Sequence, residues 1–320
     1  MKIFQKIGLL AFSFAISLST IAQQSMKVVT EYPLSGNGNR YDYLIVSKAG
    51  KLYVSHGNQV NVLDEQTGKE LGVIQGLSGV HGIAFDYENN KGFISNGAAN
   101  NVSVFDLNTD KVTNTIATGE NPDYILYEPV TKTIITANGR SNDLSFIDPK
   151  TEKVIRTVSL KGGRPECMVS DGKGWLFVNL ENKNEIAQVD LKSFEVIKNI
   201  SLAPGEAPTG LAIDLKNKLL FSGCSDSKTL AVVNYEKGAI VKTYPIGEGC
   251  DGVAYNPNTE TVFASCGEGN LTVLKRQGDT YGISNVVTRK GARTIALNAN
   301  TNTVYLIAPN SNGLQVLVVK

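Results

Sequence analysis

The chain has 320 residues, of which 42% are hydrophobic, and its 31 Lys and Arg residues nearly balance 30 Asp and Glu residues for a net charge of +1. This composition excludes a disordered chain, which needs fewer apolar residues and a larger net charge. It also argues against a general nucleic-acid-binding protein, because no cationic excess is available to displace the counterions of phosphates. We therefore expect a folded protein without a nucleic-acid partner.

Residues 1–22 have the pattern of a secretory signal peptide. Lys2 and Lys6 give a positive start, an apolar run follows at 7–18, and small residues precede an expected cleavage site before Gln23. The apolar run is shorter than the ~20 residues that a helix needs to cross a bilayer. We expect a periplasmic or secreted protein, with residues 23–320 forming one domain and no membrane insertion after signal cleavage.

The rest of the chain repeats with a period near 42 residues. One column of large side chains recurs in steps of 40 to 44 residues, at Tyr53, Phe93, Ile135, Phe177, Phe221, Phe263 and Tyr305. Each repeat contains short stretches in which apolar and polar residues alternate, separated by Asn, Asp, Gly and Pro, a pattern typical of strands joined by hairpins. Four strands per repeat of this length predict an all-β fold, a seven-bladed β-propeller.

The last repeat, residues 292–320, has only three strand-like stretches. Residues 26–32 are also β-like and can supply the missing fourth strand. We therefore predict a ring closed by the N-terminal strand pairing in the last blade, which removes an exposed sheet edge. The alternative repeat fold, a solenoid, would not need such a split unit.

A further column of short polar residues follows the third strand-like stretch of several repeats. Its members are Asp64, Asp106, Asp148, Asp190 and Asn234. We expect these side chains to cap backbone N–H groups in hairpin turns rather than to bind a metal.

The repeat resembles that of the YVTN-repeat β-propellers. The matching segments are Pro-Thr-Gly-Leu-Ala at 208–212, Phe-Ile-Ser-Asn at 93–96 and Asn-Val-Ser-Val-Phe-Asp at 101–106. The resemblance covers residues 26–320 and implies the propeller fold. Related propellers include binding proteins, electron-transfer subunits, lactonases and lyases, so the resemblance does not select one activity. Plain exported members of the family are mostly regarded as binding or surface proteins.

Two columns of residues are expected to meet at one mouth of the central channel. One precedes the innermost strand of each blade, at Asp42, His81, Asp123, Glu166, Thr209, Asp251 and Arg293. The other ends the second strand, at His56, Asn96, Asn138, Leu180, Cys224, Cys266 and Ala308. The family usually has Asn at this second position, and five of the seven blades depart from it. The predicted ligand-binding residues are Asp42, His56, His81, Asn96, Asp123, Asn138, Arg140, Glu166, Asp251 and Arg293.

Carboxylates gathered around a narrow opening repel one another, so their pKa values rise unless a cation or hydrogen-bond donors compensate. Such a ring suits Ca²⁺, Mg²⁺ or a basic organic ligand, and the alternative is a solvated channel mouth without a ligand. Two histidines on this face could also form a metal or general acid–base site. Arg40, Arg140, Arg164 and Arg293 lie on or near the same face, where they either pair with neighbouring acids or bind an anionic group.

The leading functional prediction is a binding or scaffolding protein that recognises a small polar ligand or a protein partner at this face. The alternative is a metal-assisted hydrolase or lyase, similar to a lactonase, that uses the same face. No cofactor is certain, and a divalent cation, Ca²⁺ or Mg²⁺, is the one that this ring of oxygen ligands would suit. The sequence has no Walker loop, nucleophile elbow, HExxH or CxxCH motif.

The chain has four cysteines, Cys167, Cys224, Cys250 and Cys266. An exported protein can pair them, and the antiparallel register is expected to place Cys250 nearly opposite Cys266. The open alternatives are a Cys250–Cys266 disulfide, a disulfide from Cys224 to either of these, a thiolate metal site, or buried free thiols.

Overall fold

The computed structural model describes residues 26–320, so the predicted signal segment 1–22 lies outside the described residues. The first strand, β1 (Val28–Pro33), belongs to the last blade, and the chain then builds the blades in order. Apart from two short 3-10 helices, Gly97–Ala99 and Glu181–Lys183, every regular element of the described residues is a strand. Within this part of the chain no helix has the length and apolar character needed to cross a membrane.

The first three blades each have four antiparallel strands, and the chain runs from the innermost strand to the outermost. Blade 1 has β2 (Tyr41–Val46), β3 (Lys51–His56), β4 (Gln59–Asp64) and β5 (Glu70–Ile74). Blade 2 has β6 (Val80–Asp86), β7 (Lys91–Asn96), β8 (Asn101–Asp106) and β9 (Val112–Ala117). Blade 3 has β10 (Pro122–Glu128), β11 (Thr133–Asn138), β12 (Asp143–Asp148) and β13 (Lys153–Ser159).

The next three blades repeat this order. Blade 4 has β14 (Pro165–Ser170), β15 (Trp175–Leu180), β16 (Glu185–Asp190) and β17 (Glu195–Ser201). Blade 5 has β18 (Pro208–Asp214), β19 (Leu219–Cys224), β20 (Thr229–Asn234) and β21 (Ala239–Pro245). Blade 6 has β22 (Cys250–Asn256), β23 (Thr261–Cys266), β24 (Asn270–Gln277) and β25 (Thr280–Val287).

Blade 7 joins the two ends of the described chain and confirms the predicted closure. It contains β26 (Ile295–Asn298), β27 (Thr303–Asn310) and β28 (Gly313–Val319), and β1 pairs antiparallel with β28 as the outermost strand. The innermost strand β26 packs against both β2 and β22, so the ring is continuous around the channel. The all-β, seven-bladed propeller predicted from the repeat is therefore the observed fold.

Apolar side chains between neighbouring blades hold the ring together. The buried residues form seven clusters, and each cluster combines side chains from two adjacent blades. The recurring column from Tyr53 to Tyr305 lies in the second strands and is at most 3% exposed. Because burying one such side chain contributes about 1.5–3 kcal/mol, blade-to-blade packing is a main source of stability.

The recurring Asp column has the predicted structural role. Asp64 accepts hydrogen bonds from the backbone N–H groups of Gln66 and Thr67, and Asp106 does the same for Asn108 and Thr109. The carboxylates satisfy turn donors that the strands leave unpaired, which fixes the hairpins at the side of the ring opposite the channel mouth.

Candidate ligand-binding site at the channel mouth

The innermost strands of blades 1–6 all carry a register irregularity close to their first residues. A bulge of this kind bends a strand and re-aims a side chain, so it interrupts the alternation between blade faces. The residues inside these irregularities are those of the first predicted column, Asp42, His81, Asp123, Glu166, Thr209 and Asp251. In blade 7 the corresponding residue, Arg293, lies just before β26.

His81 is the centre of the closest contacts in this column. Its Nδ1 lies 2.5 Å from Oδ2 of Asp42 in blade 1 and 3.4 Å from Oδ1 of Asp123 in blade 3. One ligand atom from each of the three residues lies within 4.8 Å of the other two. We call Asp42, His81 and Asp123 the mouth triad. Three successive blades therefore deliver two carboxylates and an imidazole to one point.

Asp251 of blade 6 is a carboxylate whose charge is compensated by Arg293 of blade 7. Nε of Arg293 lies 2.8 Å from Oδ2 of Asp251, and the guanidinium carbon lies 4.9 Å from the centre of the Tyr41 ring. In blade 4, Nε of Arg164 lies 3.6 Å from Glu166, although Arg164 also pairs with Glu181 in the following loop. The ring thus contains four acids, one imidazole and the fixed cation of Arg293.

Burial and mutual repulsion raise the pKa values of three of these carboxyl groups. The pKa of Asp123 is well above its ordinary range because the group is desolvated and faces Asp42. Burial, followed by the charge of Asp251, raises the pKa of Glu166 to about 7. Burial and the charge of Asp42 raise the pKa of Asp251 to about 6, against the opposing effect of Arg293. The mouth therefore binds and releases protons close to neutral pH.

The imidazole of His81 is a cation in this setting. Burial by itself lowers the pKa of His81, but the hydrogen bond to Asp42 and the charges of Asp123, Asp42 and Glu166 outweigh it and raise the pKa to about 9. Protonated His81 partly neutralises the acids of blades 1 and 3, as Arg293 does for Asp251.

Polar side chains of the second strands hold the backbone of this column in place. Ser55 donates a hydrogen bond to the carbonyl oxygen of His81, and Oγ of Ser95 donates one to that of Asp123 at 2.5 Å. Asn179 does the same for Thr209 at 2.9 Å. Each bond crosses from one blade to the next. Sequence reasoning missed these residues, whose signal is a small polar residue just before the end of a buried strand.

A cavity of 650 Å³ opens beside two members of the mouth triad, Asp42 and His81. Asp42, His81 and Arg293 line this cavity, and its exposed rim includes Arg40 and Arg140. The side chains of these two rim arginines make no hydrogen bond or ion pair with the described residues. Asp42 is the one carboxylate among the described residues that line this cavity, and it lies beside His81 and three arginines.

The missing side chain of Gly97 makes room for His81. A Cβ added to Gly97 would lie 2.5 Å from Nε2 of His81 and 2.9 Å from Oδ1 of Asn121. Since real Cβ atoms do not approach this closely, the imidazole occupies its position only because residue 97 is glycine.

The second predicted column does not join the first. His56, Asn96 and Asn138 are buried and point along their own blades towards the third strand. Nδ1 of His56 lies 3.2 Å from Asn61, while Asn96 donates to Ser103 and Asn138 donates to Ser145, each at 2.9 Å. These residues end the second strand, which is one strand farther from the channel axis than the first column. Regular pairing with the third strand directs their side chains into the blade. The expectation that both columns converge on the mouth is wrong for these three side chains.

The four cysteines are buried free thiols. Cys250 does lie directly opposite Cys266 in the β22–β23 pair, as the antiparallel register predicted. Burial raises the pKa of Cys167 to about 12 and that of Cys224 to about 11, which disfavours the thiolate that a metal or a nucleophile requires.

The ring of seven four-stranded sheets and the titratable residues at its channel define a β-propeller with a polar mouth. A sequence model of the YNCE-like beta-propeller family matches residues 83–255. This match spans more than half of the chain, and the protein belongs to that family. The narrower resemblance to YVTN repeats stays a prediction. No curated protein matches the chain.

Solved structures share the fold over most of the chain. A chain of Kuenenia stuttgartiensis Hydrazine Synthase superimposes with a TM-score of 0.76 at 16% sequence identity, covering 86% of this chain and 94% of that chain. At this identity the likeness concerns the fold alone. The propeller supports a binding or scaffolding role in general, and the particular function must be argued from the mouth.

Proposed function

We propose that this protein is an exported binding protein that takes a small, positively charged or zwitterionic ligand at its channel mouth. The observation that carries the proposal is the convergence of Asp42, His81 and Asp123 from three blades on one point, with Asp42 and His81 lining a 650 Å³ cavity. A periplasmic or secreted location and the absence of membrane insertion are part of the proposal and rest on residues 1–22. A protein partner at the same face is the alternative occupant.

The charges around the cavity specify the orientation of the ligand. An ammonium group suits the inner wall of the cavity, where it can approach the carboxylate of Asp42. A carboxylate on the same ligand suits the rim, where Arg40 and Arg140 have guanidinium groups without a partner among the described residues. Guanidinium groups bind carboxylates through paired hydrogen bonds, which gives the rim geometric selectivity.

Ligand binding is expected to release protons. A positive group among the acids favours their ionised forms, and the pKa of Glu166, about 7, leaves this side chain partly protonated near neutral pH. The ligand therefore competes with protons for the same carboxylates, so its affinity rises as the pH increases from 6 to 8.

The experiment is a thermal-shift screen of the free amino acids, with cadaverine as a purely cationic probe and glutarate as a purely anionic probe. Hits are then titrated calorimetrically in two buffers with different ionisation enthalpies, which counts the protons released. We expect a zwitterion or amine to bind, and Asp42→Asn to weaken it about tenfold or more.

The matched control is Asp226→Asn, since Asp226 is exposed on the mouth-side hairpin of blade 5 and belongs to no ion pair in the described residues. This variant should bind as the wild type does. Binding of glutarate alone, or equal loss in both variants, would contradict the proposal.

A second candidate is a metal-assisted hydrolase or lyase. The mouth triad favours it, because two carboxylate oxygens and an imidazole nitrogen within 4.8 Å of one another are a suitable donor set for a divalent cation. The imidazole makes Mn²⁺ or Zn²⁺ a better fit than the Ca²⁺ or Mg²⁺ expected from the oxygen ligands alone. A bound cation would supply Lewis-acid polarisation of a substrate carbonyl. Glu166, with a pKa of about 7, is suited to accept or donate a proton beside it.

Metal analysis distinguishes the two candidates. Stoichiometric metal in the purified protein, and a thermal transition that EDTA lowers in the wild type but not in His81→Gln, would support the enzyme. Metal-free protein that gains no stability from added Mn²⁺ or Zn²⁺ would refute the metal site and leave the binding function.

A further inference from the structure

The channel contains a second cavity that the mouth does not use. It has a volume of 510 Å³ and is lined by residues of β2, β6, β10 and β26, in blades 1, 2, 3 and 7 respectively, and by Lys48 and Tyr87 just beyond β2 and β6. The mouth residues lie at the beginning of the same strands, and no residue lines both cavities. The second cavity therefore opens towards the opposite face of the ring.

Aromatic side chains form much of its wall. Tyr43 and Tyr124 meet edge to face with ring centres 5.1 Å apart, and Phe85 and Tyr87 pack with ring centres 5.6 Å apart. Aliphatic side chains, including Leu126, complete the lining. A concave site of this volume whose lining is more apolar than polar is typical of small-molecule binding.

One charged residue, Lys48, lines this cavity. Its Nζ lies 4.5 Å from the centre of the Tyr87 ring, and its backbone N–H donates to the Tyr87 hydroxyl at 2.9 Å. The Lys48 side chain is exposed and has no carboxylate within ion-pair distance in the described part of the chain. The aromatic wall therefore carries one positive charge that no acid balances.

We propose that this cavity binds a small aromatic molecule with a single negative charge, such as an arylalkyl carboxylate. The aromatic body packs among Tyr43, Tyr124 and Leu126, where it is removed from water, and the carboxylate lies beside Lys48 at the exposed edge. Here a protein cation, Lys48, faces a ligand anion, whereas at the mouth a protein carboxylate faces the ammonium group of the ligand. This site does not depend on the ligand of the mouth.

The test uses 4-phenylbutyrate and its neutral analogue 4-phenylbutan-1-ol, titrated calorimetrically into the full chain. We expect the carboxylate to bind more tightly than the alcohol. Lys48→Met should weaken the carboxylate about three- to fivefold and leave the alcohol unchanged, which is the magnitude of an exposed charge pair. The matched control, Lys192→Met, removes an exposed lysine from a hairpin turn of blade 4 and should change neither affinity.

Two cavity-filling variants locate the site. Leu126→Trp and Leu297→Trp project from different blades, so at least one should fold with a normal circular dichroism spectrum and thermal transition. Either folded variant should weaken both probes about tenfold or more, whereas Asp226→Asn, on the exposed mouth-side hairpin of blade 5, should leave both affinities unchanged. Failure of both probes to bind the wild type, or wild-type affinity in the folded tryptophan variants, would overturn the site. An unchanged carboxylate preference in Lys48→Met would overturn the assigned ligand charge.

Discussion

Nδ1 of His81 lies 2.5 Å from Oδ2 of Asp42, although the two residues belong to neighbouring blades and are 39 positions apart in the chain. Asp123, from the next blade, lies 3.4 Å from the same nitrogen. The contact exists because the innermost strands of blades 1, 2 and 3 each have an irregularity that turns one side chain towards the channel. One imidazole thus shares its proton with carboxylates of two other blades, and its titration reports on the whole mouth.

The first prediction concerns the proton on His81. The pKa of His81 is about 9 because the hydrogen bond to Asp42 and the surrounding acids outweigh burial. Asp42→Asn should lower this pKa by about one to two units. Carbon-13-edited NMR of the histidine Cε1–H groups measures it directly, since the chain has only two histidines. His81→Gln assigns the signal, and an unchanged pKa in Asp42→Asn would contradict the contact.

The second prediction concerns stability between pH 5 and pH 8.5. The folded-state pKa values of Glu166 and Asp251 are raised to about 7 and about 6, and that of His81 to about 9. Each group binds its proton more tightly in the folded state than in the unfolded state. Its contribution to the free energy of unfolding is therefore present at low pH and is lost as the pH rises. The free energy of unfolding should therefore fall between pH 5 and pH 8.5.

Urea denaturation at the two pH values tests this expectation. The glutamine of Glu166→Gln cannot ionise as the pH rises. This variant should therefore lose about 1–2 kcal/mol less of its free energy of unfolding between the two pH values than the wild type does, a value that allows for solvent screening. Asp226→Asn should keep the wild-type dependence. Stability that increases from pH 5 to pH 8.5 in the wild type would show that the mouth acids are not repelling one another.

The third prediction concerns the close approach of Gly97 to His81. Gly97→Ala places a methyl group within 2.5 Å of Nε2 of His81, so the imidazole must move away from the triad. We expect a loss of about 1–3 kcal/mol in the free energy of unfolding and a lower His81 pKa. Gly139→Ala is the matched control from the corresponding position in blade 3, where the nearest atom would be 3.3 Å away. Equal effects of the two substitutions would contradict the argument.

The fourth prediction concerns ring closure. Tyr32 in β1 pairs opposite Val316, is 7% exposed, and donates a hydrogen bond to the carbonyl oxygen of Gln66 in blade 1 at 2.9 Å. Tyr32→Ala should cost about 3–5 kcal/mol, because it creates a cavity where blades 7 and 1 meet. Thr30→Ala, on an exposed position of the same strand, should change stability by less than about 0.5 kcal/mol. Urea denaturation compares them, and similar stabilities would mean that β1 does not hold the ring.

The blade architecture could be predicted because the period of the repeat and its alternating strand pattern specify it. Large side chains such as Tyr53 and Phe93 recur at the position where a blade must fill the space against its neighbour, and residues 26–32 complete the shortened last repeat. The first column of the site was also predictable, since every blade places its innermost strand around one axis. The facing pair Cys250 and Cys266 followed from the same antiparallel register.

The direction of individual side chains could not be predicted in the same way. His56 and Asn138 occupy equivalent repeat positions, but their orientation depends on the hydrogen-bonding register of the second and third strands. The irregularity that turns Asp123 towards the channel has no sequence signal of its own. The interblade bonds of Ser55 and Ser95, and the apolar cavity at the other end of the channel, depend on how neighbouring blades dock, which the repeat period does not specify.

The most direct measurement is the NMR signal of His81 during titration with the amine or amino acid that binds most tightly in the screen. At pH 7 the Cε1–H resonance of His81 should shift in proportion to the occupancy measured by calorimetry, while that of His56, buried in blade 1, should stay within its line width. The same titration of Asp42→Asn should show the shift only at about tenfold higher ligand concentration. Calorimetric binding without any change at His81 would place the ligand elsewhere and contradict the channel-mouth site.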